Sequence, residues 1–267
     1  MPWVLRGLRD GIITSRWPKR ADEYFDQFPS AVAVIGDAAT HPPSPAVPVA
    51  ADACPTGAIS VDPLPRVDRG RCIGCGRCVE VAPRWFGWEK GCATAQLDRT
   101  SLVVGDVDES DEALIGLQTA LSKRVRRLRR SVHLRHIDTG SDGSDEWEIQ
   151  ALTNPVYDLH RLGIFFTASP RHADILLVTG IGAAGMLEPL RRTLDAMPAP
   201  TVVIAVGTDA VSGGLIGGGY TGGVGISDVV PVDVWVPGAP PSPFSILHGI
   251  LLALGRVPVP AAGSAQC

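Results

Sequence analysis

The sequence predicts an α/β fold: a mainly parallel sheet with helices on its faces, preceded by a smaller and more irregular α+β unit. Three observations carry that expectation. From Ser131 onward, short apolar runs alternate with helical patterns, the order that builds βαβ units. Four of those runs end in Gly-containing loops, at Thr139-Gly140, Thr179-Gly180, Val206-Gly207 and Pro237-Gly238. Up to about residue 98 the chain is Pro-rich, lacks long periodic segments and holds a tight group of four cysteines.

Residues 1–98 form the small unit. Within it Thr40 to Ala53 reads as loop, while Ala58 to Asp62 and Cys92 to Leu97 read as strands. Residues 99–130 begin with the acidic run Gly105 to Ala113 and continue as a helix from about Asp111 to Arg130. That helix ends in SKRVRRLRR, where Val125 and Leu128 sit among six basic residues. It is either a solvated face or a basic helix that docks on an acidic partner or an anionic surface. Residues 131–259 carry strands at Val132 to Asp138, Ile164 to Ala168, Asp174 to Gly180, Thr201 to Gly207 and Val232 to Gly238. A helix is expected at Leu187 to Met197, and residues 260–267 are a tail. In an open parallel sheet, loops at the carboxyl ends of strands converge on one crevice, so the site belongs there.

With 267 residues the chain has enough length for two cores. A hydrophobic fraction of 45% and a charged fraction of 19% are ordinary for a globular protein. A net charge of -4 argues against a nucleic-acid binder. The longest apolar runs, such as Ile250 to Leu254, are too short to span a bilayer, and the N-terminus has no signal-peptide pattern.

RCIGCGRCVEVAP holds Cys72, Cys75 and Cys78, followed by Ala82-Pro83. The bacterial ferredoxin motif has three such cysteines for one [4Fe–4S] cluster and a fourth, before proline, for the other. Here Ala82 stands at the fourth position, and Cys54 precedes Pro55 in ACPTGAI without three upstream partners. The two defects are complementary. Cys54, Cys72, Cys75 and Cys78 make one full ligand set for a single cubane, and the second cluster has none. A zinc site is the alternative. Cys92 and Cys267 are expected as spare thiols.

Residues 5–18 (LRGLRDGIITSRWP), CPTGAI and CIGCGRC resemble the ferredoxin-type subunit of respiratory complex I and of formate hydrogenlyase. NPVYDLHRLGI (Asn154 to Ile164), SPRHADILLVTG (Ser169 to Gly180), VIAVGTDAVSGG (Val203 to Gly214) and VPGAPPSP (Val236 to Pro243) resemble a different subunit of the same complexes. That one is the complex I 20 kDa subunit, equivalent to the small subunit of energy-converting [NiFe] hydrogenases. The resemblance implies a fusion: a flavodoxin-like, mainly parallel sheet domain preceded by a ferredoxin-like domain. In that family four cysteines on the loops named above hold a [4Fe–4S] cluster. At the matching positions this chain carries Asp142, Asp145, Asp209 and Ala239, so no cluster is expected in the C-terminal domain.

Carboxylates are hard ligands and a cluster prefers thiolates. Three readings of the acidic positions compete: a water-filled site, a site filled by an Arg or Lys of a partner, and a hard divalent metal helped by Glu146 or Glu148. Arg171, His172 and Asp174 match SPRHAD, which borders the cluster or quinone region in the family, but His172 reads as a packed, hydrogen-bonded histidine. The run Gly213 to Gly225 lacks the strand–GxGxxG–helix context and reads as a flexible loop.

The resemblance implies an iron–sulfur, electron-transfer subunit of a complex I-like or energy-converting-hydrogenase-like oxidoreductase, with no catalytic residues of its own. It implies partners as well: a large catalytic-type subunit (hydrogenase large subunit or complex I 49 kDa-like), membrane-arm subunits and a quinone nearby. The expected location is cytoplasmic, peripheral on the inner face of the cell membrane. A non-redox scaffold whose cluster is structural is the alternative, and a third reading is an Asp-based metal site with a hydrolytic or regulatory role.

Overall fold

The computed structural model describes residues 3–23, 25–36, 44–105, 111–126 and 131–260. In the N-terminal half, α1 (Trp3–Asp10) leaves Trp3, Leu5 and Leu8 exposed. β1 (Pro29–Val34) is followed by α2 (Ala46–Asp52), which falls inside a stretch expected as loop. Pro48 in its first turn is compatible with a helix, and Val47 and Ala50 give it a buried face. The rest of that stretch, Thr40 to Pro43, lies outside the described residues.

Next come β2 (Ile59–Ser60), β3 (Arg66–Asp68), α3 (Arg77–Val81), β4 (Phe86–Lys90) and β5 (Val103–Gly105). β1 pairs antiparallel with β4, and β2, β3 and β5 form a second antiparallel sheet. Val32, Val67, Trp85, Phe86 and Val104 close a small core between them. Cys92 to Leu97, expected as a strand, is not one. Only Gln96 pairs, through an isolated bridge to Trp235, because Ala95 and Leu97 are used to fill the larger core of the C-terminal half.

α4 (Asp111–Arg124) is the helix expected from the sequence. Leu121 and Val125 are buried, and Arg124 pairs with Asp233, so part of the basic run is an internal clamp. Residues 127–130 and the acidic run 106–110 lie outside the described residues.

The C-terminal half follows as β6 (Val132–Asp138), α5 (Ser144–Ala151), β7 (Ile164–Phe166), β8 (Ile175–Thr179), α6 (Leu187–Asp195), β9 (Val202–Val206), α7 (Gly207–Ser212), β10 (Val234–Val236) and α8 (Pro243–Ala253). The sheet order is β10-β9-β8-β6-β7, with every pairing parallel. Counted from β6 this is the 2-1-3-4-5 order of a flavodoxin-like sheet. Alternate residues of β8 and β9 enter two cores. Ile175, Leu177, Val202, Ile204 and Val206 face one, while Leu176, Val178, Val203 and Ala205 face the other. A sheet buried on both faces produces the continuous apolar runs seen in the sequence.

The two halves share a core. Trp17 and Phe25 pack edge-on against Phe244 of α8, with ring centroids 6.1 Å and 4.8 Å away. The Ser15 N–H donates to the Val156 carbonyl at 2.8 Å, and Arg161 donates to the Trp17 carbonyl. These contacts fix residues 15–25 relative to the C-terminal half.

Candidate functional site: a thiol cavity beside an acidic cavity

Cys54 follows the end of α2, Cys72 and Cys75 lie on the loop after β3, and Cys78 sits in the first turn of α3. All four line one cavity with the apolar side chains of Val32, Pro55, Ala58, Ile59, Val67 and Ile73. Gly74 and Gly76 adopt φ of 67° and 74°, a conformation that costs a residue with a Cβ about 1–2 kcal/mol. That twist turns backbone N–H groups inward. The Gly74 N–H donates to Cys72 Sγ at 3.5 Å and the Ala58 N–H to Cys54 Sγ at 3.3 Å.

Burial pushes the Cys72 thiol up to about 11, the Gly74 N–H offsets part of the rise, and the Cys78, Cys54 and Cys75 sulfurs add to it. Cys78 is raised for the same leading reason. Four thiols around an apolar hollow, with amide donors on the sulfurs, are a donor set suited to an iron–sulfur cluster. Among the described residues, no three Cys, His, Asp or Glu gather around a point in the way a single metal ion needs. Cys92 does not line this cavity and is disulfide-bonded, which corrects its expected role as a spare thiol. Cys267 lies outside the described residues.

The loop carrying Cys72 is stitched to the sheet. Thr208 Oγ1 donates to the Cys72 carbonyl at 3.1 Å and accepts from the Gly238 N–H at 3.3 Å. On the far side of Ile73 lies a second cavity, of about 240 Å³. It opens at the carboxyl ends of β6, β9 and β10, where an open sheet presents its site. Asp142, Asp145, Asp209 and Ala239 all line it, together with Ile73, Leu215 and Ile216. The structure therefore brings together all four acidic-site positions singled out in the sequence, and places them next to the four cysteines.

The three carboxylates differ. Asp142 is exposed, and its Oδ1 accepts from the Ser144 N–H at 2.9 Å and hydroxyl at 2.6 Å; these bonds lower its pKa. Asp145, on α5, is 3% exposed, and its Oδ1 has no hydrogen-bond partner among the described residues. Burial, and after it the charges of Asp209, Glu146, Asp142 and Asp138, push its carboxyl up to about 8. Asp209 is raised, by burial first and then by Asp142 and Glu146.

Glu146 and Glu148 were expected as helpers for a metal. Neither lines the cavity. The Glu146 carboxylate accepts from Ser141 Oγ at 2.8 Å and from Thr179 Oγ1. His172 is exposed, and its backbone N–H donates to the Ser169 carbonyl, so its expected packing is not found among the described residues. The Gly-rich run 213–225 is tied down by bonds such as Gly218 N–H to the Gly223 carbonyl at 2.9 Å, and it forms one wall of the acidic cavity. Sequence reasoning missed that wall, because exposed Leu215 and Ile216 look like ordinary loop residues.

Gly207 shows how closely Asp145 is held. It has φ of 89°, and a Cβ there would meet the Asp145 carboxylate at 2.1 Å. Gly207→Ala is expected to cost about 2–4 kcal/mol in urea unfolding. Asp145→Ala in the same chain should recover part of that loss, and full additivity of the two changes would contradict the contact.

This geometry defines a class: an α/β fold whose parallel sheet opens onto an acidic cavity beside a second, thiol-lined one. Residues 143–253 match the family "NADH ubiquinone oxidoreductase, 20 Kd subunit", and residues 66–116 match a 4Fe-4S single cluster domain. The chain belongs to the 20 kDa subunit family. It is 38% identical over 145 residues to formate hydrogenlyase subunit 7 of Escherichia coli (strain K12), covering 54% of this chain and 56% of that one. It is 39% identical over 141 residues to probable membrane-bound hydrogenase subunit mbhJ of Pyrococcus furiosus, covering 51% and 84%. Among solved structures, a chain of the membrane-bound sulfane sulfur reductase, an archaeal respiratory membrane complex, overlaps at 27% identity and TM-score 0.44, covering 51% of this chain and 76% of that one. The chain spans little more than half the length of formate hydrogenlyase subunit 7. Among the described residues, no helix is long and apolar enough to cross a membrane.

Proposed function

We propose that this chain is an electron-transfer subunit of a membrane-associated oxidoreductase of the complex I or energy-converting-hydrogenase type. It binds one [4Fe–4S] cluster through Cys54, Cys72, Cys75 and Cys78 and carries no cluster in its C-terminal domain. The observation that supports this most is the gathering of four thiols, from two separate segments, around one apolar cavity. When bound, such a cluster accepts and releases one electron at a time.

The chain's own residues do the rest. Val32, Ile59, Val67 and Ile73 give the cavity an apolar lining, Cys78 is buried while Cys75 stays exposed, and the Ala58 and Gly74 N–H groups place partial positive charge on the Cys54 and Cys72 sulfurs. The acidic cavity offers no thiolate at any of its four positions, so an electron leaving the thiol site must go to a partner. The two matched segments support reading the chain as a fusion of two neighbouring subunit types, a ferredoxin-like domain over residues 1–98 and a 20 kDa-type domain over residues 131–259. The partners would be a large catalytic-type subunit and membrane-arm subunits on the inner face of the cell membrane. Apolar side chains left open on α1 are what a subunit shows when removed from an assembly.

A second reading, a non-redox scaffold whose cluster is a staple, is favoured by the loss of all four thiolates in the C-terminal pocket. A reductive titration of anaerobically purified protein, followed by EPR, separates the two. Electron transfer requires a signal that appears and disappears reversibly with potential. A bound cluster that resists reduction over the whole accessible range would support the scaffold.

A further inference from the structure

The acidic cavity has three carboxylate residues in its lining, Asp142, Asp145 and Asp209, and, among the described residues, no Lys, Arg or His. Asp145 is 3% exposed and lines the cavity, and its buried Oδ1 has no hydrogen-bond partner among the described residues. A buried acceptor left unpaired destabilises the fold, and more so when charged. Glu146 does not share this state, because Ser141 and Thr179 hydroxyls satisfy it.

The rim points to the occupant. Leu215 and Ile216 are 61% and 54% exposed on the Gly-rich wall, with Ile73 opposite. An apolar collar around an anionic floor matches a side chain with an aliphatic stem and a cationic head. A single metal ion is a poorer match, since among the described residues no three carboxylates converge on one point, whereas the cavity of about 240 Å³ has room for a planar group. A guanidinium brings five donors in a fixed fork and is more weakly hydrated than an ammonium.

We infer that this cavity is the receptor for an arginine side chain of a partner subunit, its head on Asp145 and Asp209 and its stem against Leu215 and Ile216. The inference rests on the reading of the chain as part of a larger assembly. It makes the pocket a docking anchor of the type that dominates interface energetics, in the place where the matching positions of the family hold cysteines.

Methylguanidinium is the probe, titrated calorimetrically into the full-length, cluster-loaded chain at pH 8.5. Saturable millimolar binding is expected, weakened tenfold or more in Asp145→Asn/Asp209→Asn. Tetramethylammonium, with equal charge and no N–H, should bind at least tenfold more weakly. Magnesium binding as tight as methylguanidinium, or no preference over tetramethylammonium, would overturn the inference. In the intact complex, a structure should place a partner guanidinium within hydrogen-bond reach of the Asp145 carboxylate. Water or a metal there overturns it as well. Iron content, read on the same samples, should be unchanged by the double variant. Loss of the cluster reading therefore shows as missing iron in the parent chain, and loss of the docking reading as an empty pocket in an iron-replete one.

Discussion

Cys54→Ala should lower the iron content of the anaerobically purified chain from about four atoms to three or fewer and abolish the EPR signal of the reduced protein. Cys92→Ser should change neither. The pair is diagnostic because the segment matching a single-cluster domain, residues 66–116, contains Cys72, Cys75, Cys78 and Cys92 but not Cys54. Spacing within that segment would nominate Cys92 as the fourth ligand. The fold nominates Cys54, which lines the thiol cavity, while Cys92 is 1% exposed in the core shared with the C-terminal sheet.

Stability should follow the iron. The core of the N-terminal unit is small, and small units lean on bound metal for much of their folding energy. Cys54→Ala is therefore expected to unfold this unit at lower urea than the C-terminal sheet, splitting one transition into two. A single unshifted transition in the iron-depleted variant would contradict a stabilising role for the cluster.

Asp145→Asn should stabilise the isolated chain, and the gain should grow with pH. The carboxyl has a folded-state pKa of about 8 against an ordinary 3.8, so the folded state resists ionisation that the unfolded state permits. The cost is absent below about pH 4, accumulates from there to about pH 8 and is constant above. At about 1.4 kcal/mol per unit, a rise from 3.8 to about 8 caps the gain near 6 kcal/mol. Relaxation and water entry bring the expected value to about 2–3 kcal/mol at pH 8. Urea unfolding at pH 4.5 and pH 8 measures it, and an equal or larger gain at the lower pH would contradict the stated burial. In the assembled complex the same substitution should weaken subunit retention, because the partner's cation loses its counter-charge.

Much of the fold was legible because strands buried on both faces leave unmistakable runs. Val132 to Asp138 was found to the residue, and the strands at Ile175, Val202 and Val234 lie within their expected spans. The small unit was less legible. β1, β3, β4 and β5 are short and take their register from long-range pairing, while Ala46–Asp52 hid between prolines. The four cysteines were visible from spacing, and Asp142, Asp145, Asp209 and Ala239 from resemblance. What the sequence did not reveal is their adjacency, set by Thr208 bridging Cys72 to Gly238, and the apolar collar of Leu215 and Ile216. Both depend on where the chain returns in space.

The proposed stoichiometry is one cluster in the first half of the chain and none in the second. Iron and acid-labile sulfide per chain, measured on anaerobically purified protein, test it most directly. About four of each is the expected result. About eight of each would place a second cluster in the acidic pocket, and zinc without sulfide would replace the cluster with a structural metal; either contradicts the account.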